Sequence, residues 1–371
     1  MPVSISGTNG VTFPDNSLQT AAASPFGLKN RIINGDMSID QRNAGASLTN
    51  NTGIQFPVDR FLVYGNGVAS KFTMQQNQGS VTPPSGFSNY LGFTSLAATT
   101  VASGDIYEVL QRIEGFNTAD LNWGTANAQT VTLSFWVRSS LTGTFGGAIQ
   151  NSASTRSYPF SYTISAANTW EQKTITIAGD TSGTWIGATN GIGIQVIWGL
   201  GVGTTYSGTA GAWAGTGYYS ATGATSMVAT NGATFYITGV QLEVGSTATP
   251  FERRLYNQEL ANCQRYYYKI GGIDTNEIMA NGVFQSTTNA EFVINMPITM
   301  RAVPSASYSG TLSNFRVTSS ATFTPTALTF DIFGVNTLRA STTVSGATAG
   351  YACYLRSSTS TSQTINVAAE L

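Results

Sequence analysis

Between residues 130 and 245 the chain repeats a simple signature. Val131-Thr132-Leu133-Ser134-Phe135-Trp136-Val137 sets apolar side chains at every second position, and Gly191-Ile192-Gly193-Ile194-Gln195-Val196-Ile197-Trp198 and the run Thr234 to Leu242 do the same. A period of two sends alternate side chains to opposite faces of a pleated strand. Turn-rich clusters separate these runs and no long helical period interrupts them. The pattern predicts a jelly-roll β-sandwich over residues 27–252. Residues 253–269 break the pattern. Tyr256, Leu260, Cys263 and Tyr267 recur at i, i+4, i+7 and i+11, which is one face of a helix, and a connecting helix is expected there. Alternation then returns in Glu291–Met296, Phe315–Val317, Ala327–Ile332, Tyr351–Leu355 and Thr364–Val367, predicting a smaller β-sandwich over 270–371. The fold class is therefore all-β: two sandwiches joined by one short helix, preceded by a short N-terminal segment.

That segment, residues 1–26, reads as two very short strands around Asn9-Gly10, the pair favoured in a type I′ hairpin. A lone hairpin is marginal in water, so the segment needs partners. Its apolar positions Ile5, Val11, Phe13 and Leu18 are the candidates for attachment and oligomerisation.

Composition narrows the chemistry. Of 371 residues, 41% are hydrophobic but only 9% are charged, against about 25% in ordinary soluble domains. Ser and Thr supply about a quarter of the chain, which suits uncharged strand faces and turns. Seventeen basic residues against 18 acidic ones leave no basic footprint for nucleic acid. No apolar run is long enough for a membrane span, and no secretory signal opens the sequence, so the chain is expected to fold in a cytoplasm without membrane insertion. Histidine is absent, which excludes a Ser-His-Asp or Cys-His triad and, with two cysteines, the usual zinc site. Neither a cofactor nor a metal is expected, and Cys263 and Cys353 read as small buried thiols.

Four local patterns together resemble bacteriophage tail-fibre or virion-fibre proteins. The first is the N-terminal run from Ile5 to Ala21. The second is Asn30-Arg31-Ile32-Ile33-Asn34-Gly35-Asp36-Met37-Ser38-Ile39-Asp40-Gln41-Arg42 with Val58-Asp59-Arg60-Phe61 after it. It is similar to the opening of a fibre jelly-roll module that itself resembles carbohydrate-binding modules. The third is Ile237 to Gly245 with Thr249-Pro250-Phe251-Glu252 and Cys263-Gln264-Arg265-Tyr266-Tyr267. The fourth is Met300-Arg301-Ala302-Val303-Pro304 with Ala368-Ala369-Glu370-Leu371. The resemblance implies a structural virion protein, a homotrimer held to other virion proteins through its N-terminus, which recognises host cell-surface glycan during adsorption. It implies a chain that folds in the host and acts outside it, as part of the virion.

Sugar recognition sets aromatic rings against pyranose faces and polar side chains against hydroxyls. The stretch from Thr174 to Glu252 holds no Lys or Arg and carries Trp185, Trp198, Tyr206, Trp213, Tyr218 and Tyr219. Trp198 falls on an alternating strand and reads as core. Trp213, Tyr206, Tyr218, Tyr219 and Trp185 are the candidate ligand-binding residues. Asp36, Asp40, Arg42, Asp59 and Arg60 read as a charge-paired corner, with a calcium site at Asp36 and Asp40 as the alternative. Arg301 is expected to make an ion pair between strands or subunits, and Pro304 confines its strand to an edge. Tyr266-Tyr267-Tyr268 reads as packing into the second sandwich, or else as an aromatic platform. Glycoside hydrolysis needs two acids. Asp105, Glu108, Glu114, Asp120, Glu171 and Asp180 offer many pairs, and none stands out. The sequence thus points to a non-enzymatic tail-fibre subunit that binds glycan. A ligand-free structural or decoration protein of head, neck or tail is the alternative, and a polysaccharide-depolymerising tailspike ranks below it.

Overall fold

The computed structural model describes residues 29–371 and, before them, only the backbone of three short strands. Those strands, Ser4–Ser6, Gly10–Thr12 and Leu18–Gln19, pair antiparallel in that order. Ser6 lies opposite Gly10, so Gly10 belongs to a strand and Asn9-Gly10 is not the two-residue tip of a hairpin. The third strand has too little alternation to announce itself in the sequence. Phe13, and the side chains of Ile5, Val11 and Leu18, lie outside the described residues.

Two six-stranded sheets form the larger unit. The first runs Glu171–Ile177, Val131–Ser139, Thr234–Val244, Leu91–Ser95, Phe72–Gln76, Leu48–Thr49. The second runs Ser157–Ile164, Gly143–Gln150, Ile192–Val202, Ile106–Glu114, Phe61–Gly65, Ile54–Val58. Neighbouring strands are antiparallel throughout. The apolar set Val131, Leu133, Phe135 and Val137 meets Tyr107, Val109, Ile194, Val196 and Trp198 in one buried cluster between the sheets. Trp198 has no exposed surface and stands 5.6 Å from the Phe135 ring. This is the jelly-roll sandwich that the period-two pattern predicts.

The polar half of that pattern is not solvent-facing. Thr132 and Ser134 are as buried as their apolar neighbours, because residues 245–252 strap the outer face of the first sheet. Thr132 Oγ1 donates to the Gly245 carbonyl (2.7 Å), and Glu243 Oε1 accepts from the Thr249 N–H (2.9 Å) and from Gln241 Nε2 (2.8 Å).

The helix is shorter than its periodicity suggests, Tyr256–Gln264. Tyr256 is exposed, and the side buried is Glu259 and Cys263. Glu259 turns inward because Arg254 Nη1 (3.1 Å) and the Asn34 N–H satisfy its carboxylate. Tyr267 and Tyr268 have already left the helix for the strand Tyr267–Gly271. No helix among the described residues is long and apolar enough to cross a membrane.

The smaller unit sets a three-stranded sheet, Tyr267–Gly271, Thr364–Ala368 and Ser305–Ser309, over a seven-stranded one. Ile365 and Val367 from the first pack with Phe292, Ile294, Phe315, Leu338 and Leu355 of the second. Ser305–Ser309 is an edge strand, entered directly after Pro304. Cys263 and Cys353 are buried and unpaired.

Arginines join the two sandwiches. Arg265 grips Glu114 through Nε (2.9 Å) and Nη2 (2.6 Å), and the Tyr266 hydroxyl donates to the same carboxylate (2.7 Å). Arg42 Nη2 (2.8 Å) and Arg60 Nη1 close on the Glu370 carboxylate. Arg60 also lies 3.5 Å from the Tyr266 ring centre, and Arg42 3.6 Å from that of Tyr267. The corner around Asp59 is thus charge-paired, but its main acid is Glu370 from the other end of the chain. Burial pushes the Asp59 carboxyl up to about 6, and the Arg42 charge opposes the rise. The ion pair expected of Arg301 between strands is not formed. Among the described residues of this chain it pairs with no acid, and donates instead to the carbonyls of Asn190 (2.7 Å), Ala369 (2.8 Å) and Glu370 (2.9 Å), because the backbone of residues 369–370 lies in its reach.

Glu370→Ala leaves the Arg60 guanidinium buried without its carboxylate. It is expected to cost about 3–5 kcal/mol, read as a lower urea midpoint. Glu370→Gln, which keeps an acceptor, is expected to lose less. Equal midpoints for wild type and Glu370→Ala would show that the pair holds nothing together.

Candidate functional site

The strand Ile106–Glu114 lies near the middle of the second sheet. Its odd-numbered Tyr107, Val109 and Ile113 enter the core. Alternation therefore sends Ile106, Glu108, Leu110 and Arg112 to the outer face. Register sets Glu108 opposite Tyr64 on one side and Gly199 on the other, and Arg112 opposite Gln195.

Half of this outer face is covered by the loop that follows Val202. Small residues make the approach possible. A Cβ on Gly199 would lie 2.9 Å from Ser220 Oγ, and one on Gly146 would collide with the same oxygen. The loop is pinned by the parallel pairing of Ser207–Gly208 with Ser220–Ala221 and by Gln150 Nε2 donating to the Tyr218 carbonyl (2.7 Å). Its rim delivers Tyr206 and Tyr219, whose rings meet edge to face with centres 5.5 Å apart. What remains open is a cleft of about 330 Å³. Tyr206 and Tyr219 form one side and Tyr64, Ile54 and Asn66 the other. Ile106, Glu108, Arg112, Gln195, Ser152 and Ser154 complete the lining. Beneath it Leu62, Leu110 and Ile197 make a small apolar cluster under Phe56, Tyr64 and Tyr219.

Two charged groups define the cleft electrostatically. Arg112 is tethered through two of its nitrogens: Nε donates to Gln195 Oε1 (3.1 Å) and Nη1 to the Leu371 carbonyl (2.6 Å). Glu108 has no such tether. It is 3% exposed, and its Oε2 is buried with no hydrogen-bond partner. Burial pushes its carboxyl up to about 8, with the Arg112 charge opposing. Burial, then the nearby Glu108, also raises the Tyr219 phenol. The cleft offers ring faces, a carboxyl, a guanidinium tethered through Nε and Nη1, and amide and hydroxyl groups.

The five aromatic candidates separate into two places. Tyr206 and Tyr219 line the cleft, while Tyr218 lies against Gly208 behind them. Trp185 and Trp213 join Trp123 in a triad with ring centres 4.8, 5.4 and 5.5 Å apart. All three indole N–H groups are used inside the protein: Trp123 to the Gln129 carbonyl (2.8 Å), Trp185 to the Ser182 carbonyl (3.1 Å) and Trp213 to the Ala178 carbonyl (2.8 Å). This triad clamps the loops around the bidentate Arg156–Asp180 pair, whose two contacts are both 2.7 Å.

Among the acids singled out from sequence, Glu108 alone lacks a hydrogen-bond partner. Asp105 accepts from the Ala102 N–H (2.9 Å), Glu114 binds Arg265, Asp120 binds Arg31, Glu171 binds Lys173 and Asp180 binds Arg156. Asp36 and Asp40 serve their own loop, accepting from Ser38 N–H (3.3 Å) and from Asn43 (2.9 Å) and Gly45 (2.7 Å) N–H groups. Among the described residues no three of Cys, Asp and Glu gather to hold a metal ion. Sequence reasoning missed Tyr64, Arg112 and Gln195. Their signal was their alternation parity on neighbouring strands, which becomes informative only once the pairing is known. It also missed a shallow groove on the first sheet, where Arg253 lies 4.7 Å from the Phe87 ring beside Trp136 and Phe251.

No family model matches the sequence, and no curated protein matches it. Among solved structures the chain is similar to the enzymatically active domain of tailspike protein 4 of bacteriophage CBA120, with 10% identity, TM-score 0.31, and 58% of this chain aligned to 22% of that one. It is similar to a proposed sugar-binding protein of Bacteroides thetaiotaomicron, with 12% identity, TM-score 0.35, and 58% of this chain aligned to all of that one. It is similar also to a family 11 carbohydrate-binding module of Clostridium thermocellum in complex with a β-1,3-1,4-mixed-linked tetrasaccharide, with 9% identity, TM-score 0.25, and 56% of this chain aligned to all of that one. The chain spans less than a quarter of the tailspike chain.

The Glu108 carboxyl moves from an ordinary 4.5 to about 8 on folding, so the folded state holds the extra proton between those values. Stability therefore falls as pH rises through that window, by up to about 1.4 kcal/mol per pH unit from this group. Glu108→Gln cannot ionise. Its stability relative to wild type is expected to rise between pH 5 and 8, by up to about 4 kcal/mol in urea unfolding. A constant difference across that range would mean the acid is not held in its neutral form.

Proposed function

We propose that the protein is a virion appendage subunit of the tail-fibre kind, which binds host-surface glycan in the cleft over the second sheet and does not cleave it. The observation that carries the binding reading is the cleft itself. Tyrosine rings form its sides, and hydrogen-bonding side chains lie over an apolar floor, in a chain with few charges elsewhere. Ring faces hold the C–H face of a sugar, and the polar groups between them take its hydroxyls. The virion reading rests on the sequence patterns at both ends of the chain. Against cleavage stands the acid count: Glu108 is the one carboxylate among the described residues lining the cleft, and glycoside hydrolysis uses two.

In this reading residues 1–26 join three copies and fasten them to the virion, and multivalency raises weak single-site binding through effective concentration. The competing reading, a ligand-free structural or decoration subunit, makes no use of the cleft.

Glycan-array screening followed by calorimetry tests the binding role. Tyr219→Ala and Tyr206→Ala are each expected to weaken binding about tenfold, the equivalent of roughly 1.4 kcal/mol, without release of reducing ends by the wild type. A blank array together with unchanged phage adsorption would favour the decoration role. Sedimentation tests the assembly: full-length protein is expected as a trimer and the 27–371 fragment as a monomer. A full-length monomer at micromolar concentration contradicts it.

A further inference from the structure

We propose that Glu108 is the group that engages the ligand of the cleft: its carboxyl pairs with hydroxyls of a sugar ring seated against Tyr206 and Tyr219. This rests on the glycan-binding reading above and names the binding group within it.

The first argument is hydrogen-bond accounting. Buried polar atoms in native proteins are almost always satisfied. Around the cleft that rule holds: Gln195 Oε1 accepts from Arg112, Gln150 Nε2 donates to the Tyr218 carbonyl, and Arg112 holds the Leu371 carbonyl. Glu108 departs from it. Among the described residues neither of its oxygens has a donor, although the side chain lines an open cavity. No lysine or arginine stands within ion-pairing distance of it. A carboxyl desolvated by the fold and left unmatched at the edge of a cleft is placed for a group arriving from outside.

The second argument is the company it keeps. On its own strand the charged neighbour is Arg112. From the adjoining strand comes Tyr64, and from the covering loop come Tyr206 and Tyr219. Beyond Arg112 lie Arg60 and Glu370 of the domain seam. Arg112 gives Nε to Gln195 and Nη1 to the Leu371 carbonyl, both neutral acceptors. A sugar ring seated between the tyrosines therefore meets Glu108 as the lining carboxyl without a partner of its own.

The third argument is protonation. With its carboxyl pushed up to about 8, Glu108 is mostly the neutral acid at pH 7 and offers both a donor and an acceptor. A sugar seated over it removes remaining water and favours that form further. Affinity then follows the fraction of neutral acid, which falls about tenfold between pH 7 and 9 for a group titrating near 8.

The test uses full-length protein with ¹³C-carboxyl-labelled glutamate and ring-labelled tyrosine. The resonance missing from Glu108→Gln identifies Glu108. In the free protein it is expected to titrate near pH 8. At pH 6.5 it is expected to shift with galactose, glucose or mannose. For the hexose giving the largest shift, wild-type affinity should fall about tenfold from pH 7 to 9, while Glu108→Gln gives a flat profile. Titration of Glu108 in the ordinary carboxylate range overturns the proposal, as does a wild-type affinity for that hexose that stays flat from pH 7 to 9. Shifts at Tyr206 and Tyr219 without a shift at Glu108 overturn the role of Glu108 alone. Silence of tyrosines and Glu108 alike overturns the glycan-binding reading with it.

Discussion

The carboxylate of Glu370 lies between two guanidiniums, those of Arg42 and Arg60, with only 12% of its side chain exposed. Arg60 sits at the tip between the strands Ile54–Val58 and Phe61–Gly65 and holds a left-handed φ of 69°, a conformation that a residue with a Cβ adopts at a cost. That tip is held from outside by its contacts with Glu370, the Tyr266 ring and the Arg112 carbonyl (2.6 Å). Two apolar surfaces in contact can slide over one another. Two guanidinium groups closing on one carboxylate, each stacked on its own tyrosine, define a single docking register.

The same seam reaches the cleft. Arg60 binds the backbone of Arg112, and the Arg112 side chain binds the carbonyl of Leu371. The last residues of the chain are therefore part of the support for the outer face of the larger sandwich. This arrangement explains why the two charges of the cleft behave so differently. Arg112 is drawn away along the strand toward the seam, and Glu108, two outward positions earlier, is left with burial and no partner. Had Arg112 turned back to pair with Glu108, the acid would be ionised and satisfied, and the cleft would carry no unmet hydrogen-bonding group.

How much of this was legible depends on the range of the interaction. Strands and core residues such as Trp198 follow from local alternation, because a period of two is a property of a few successive residues. The two sandwiches and the helix between them follow from where that period stops and resumes. The cleft does not, because it is built across strands: Tyr64, Glu108 and Gln195 share a face only through pairing register. Glu108 stood among six equivalent acids in the sequence, and only its neighbours' commitments to arginines and backbone set it apart. Trp185 and Trp213 drew attention as aromatics in a loop, yet an indole in a glycine-rich loop is also the cheapest way to give that loop a core. Glu370 gave no signal for the opposite reason. Its partners lie more than 300 residues away, at a separation of 310 for Arg60 and 328 for Arg42.

The two outer faces of the larger sandwich show why the cleft forms where it does. On the first sheet, residues 245–252 run back along the strand they have just left, and Gln241 and Glu243 saturate their hydrogen bonds on that strap. This short return covers the end of the strand nearest Val244 and leaves a shallow groove beside Trp136 and Phe251. On the second sheet the cover is a loop that approaches over the glycines at 146 and 199 and is anchored to Gln150 and Ser157, and it ends over the sheet at Tyr206 and Tyr219. Extending it would need small residues at the next positions across the sheet, where Glu108, Leu110 and Tyr64 stand instead. Side-chain size along the sheet thus sets the edge of the loop, and the edge of the loop makes the wall of the cleft. In a chain so poor in charge, such a wall offers ring faces and hydrogen-bonding groups, whose contacts salt screens far less than it screens exposed ion pairs.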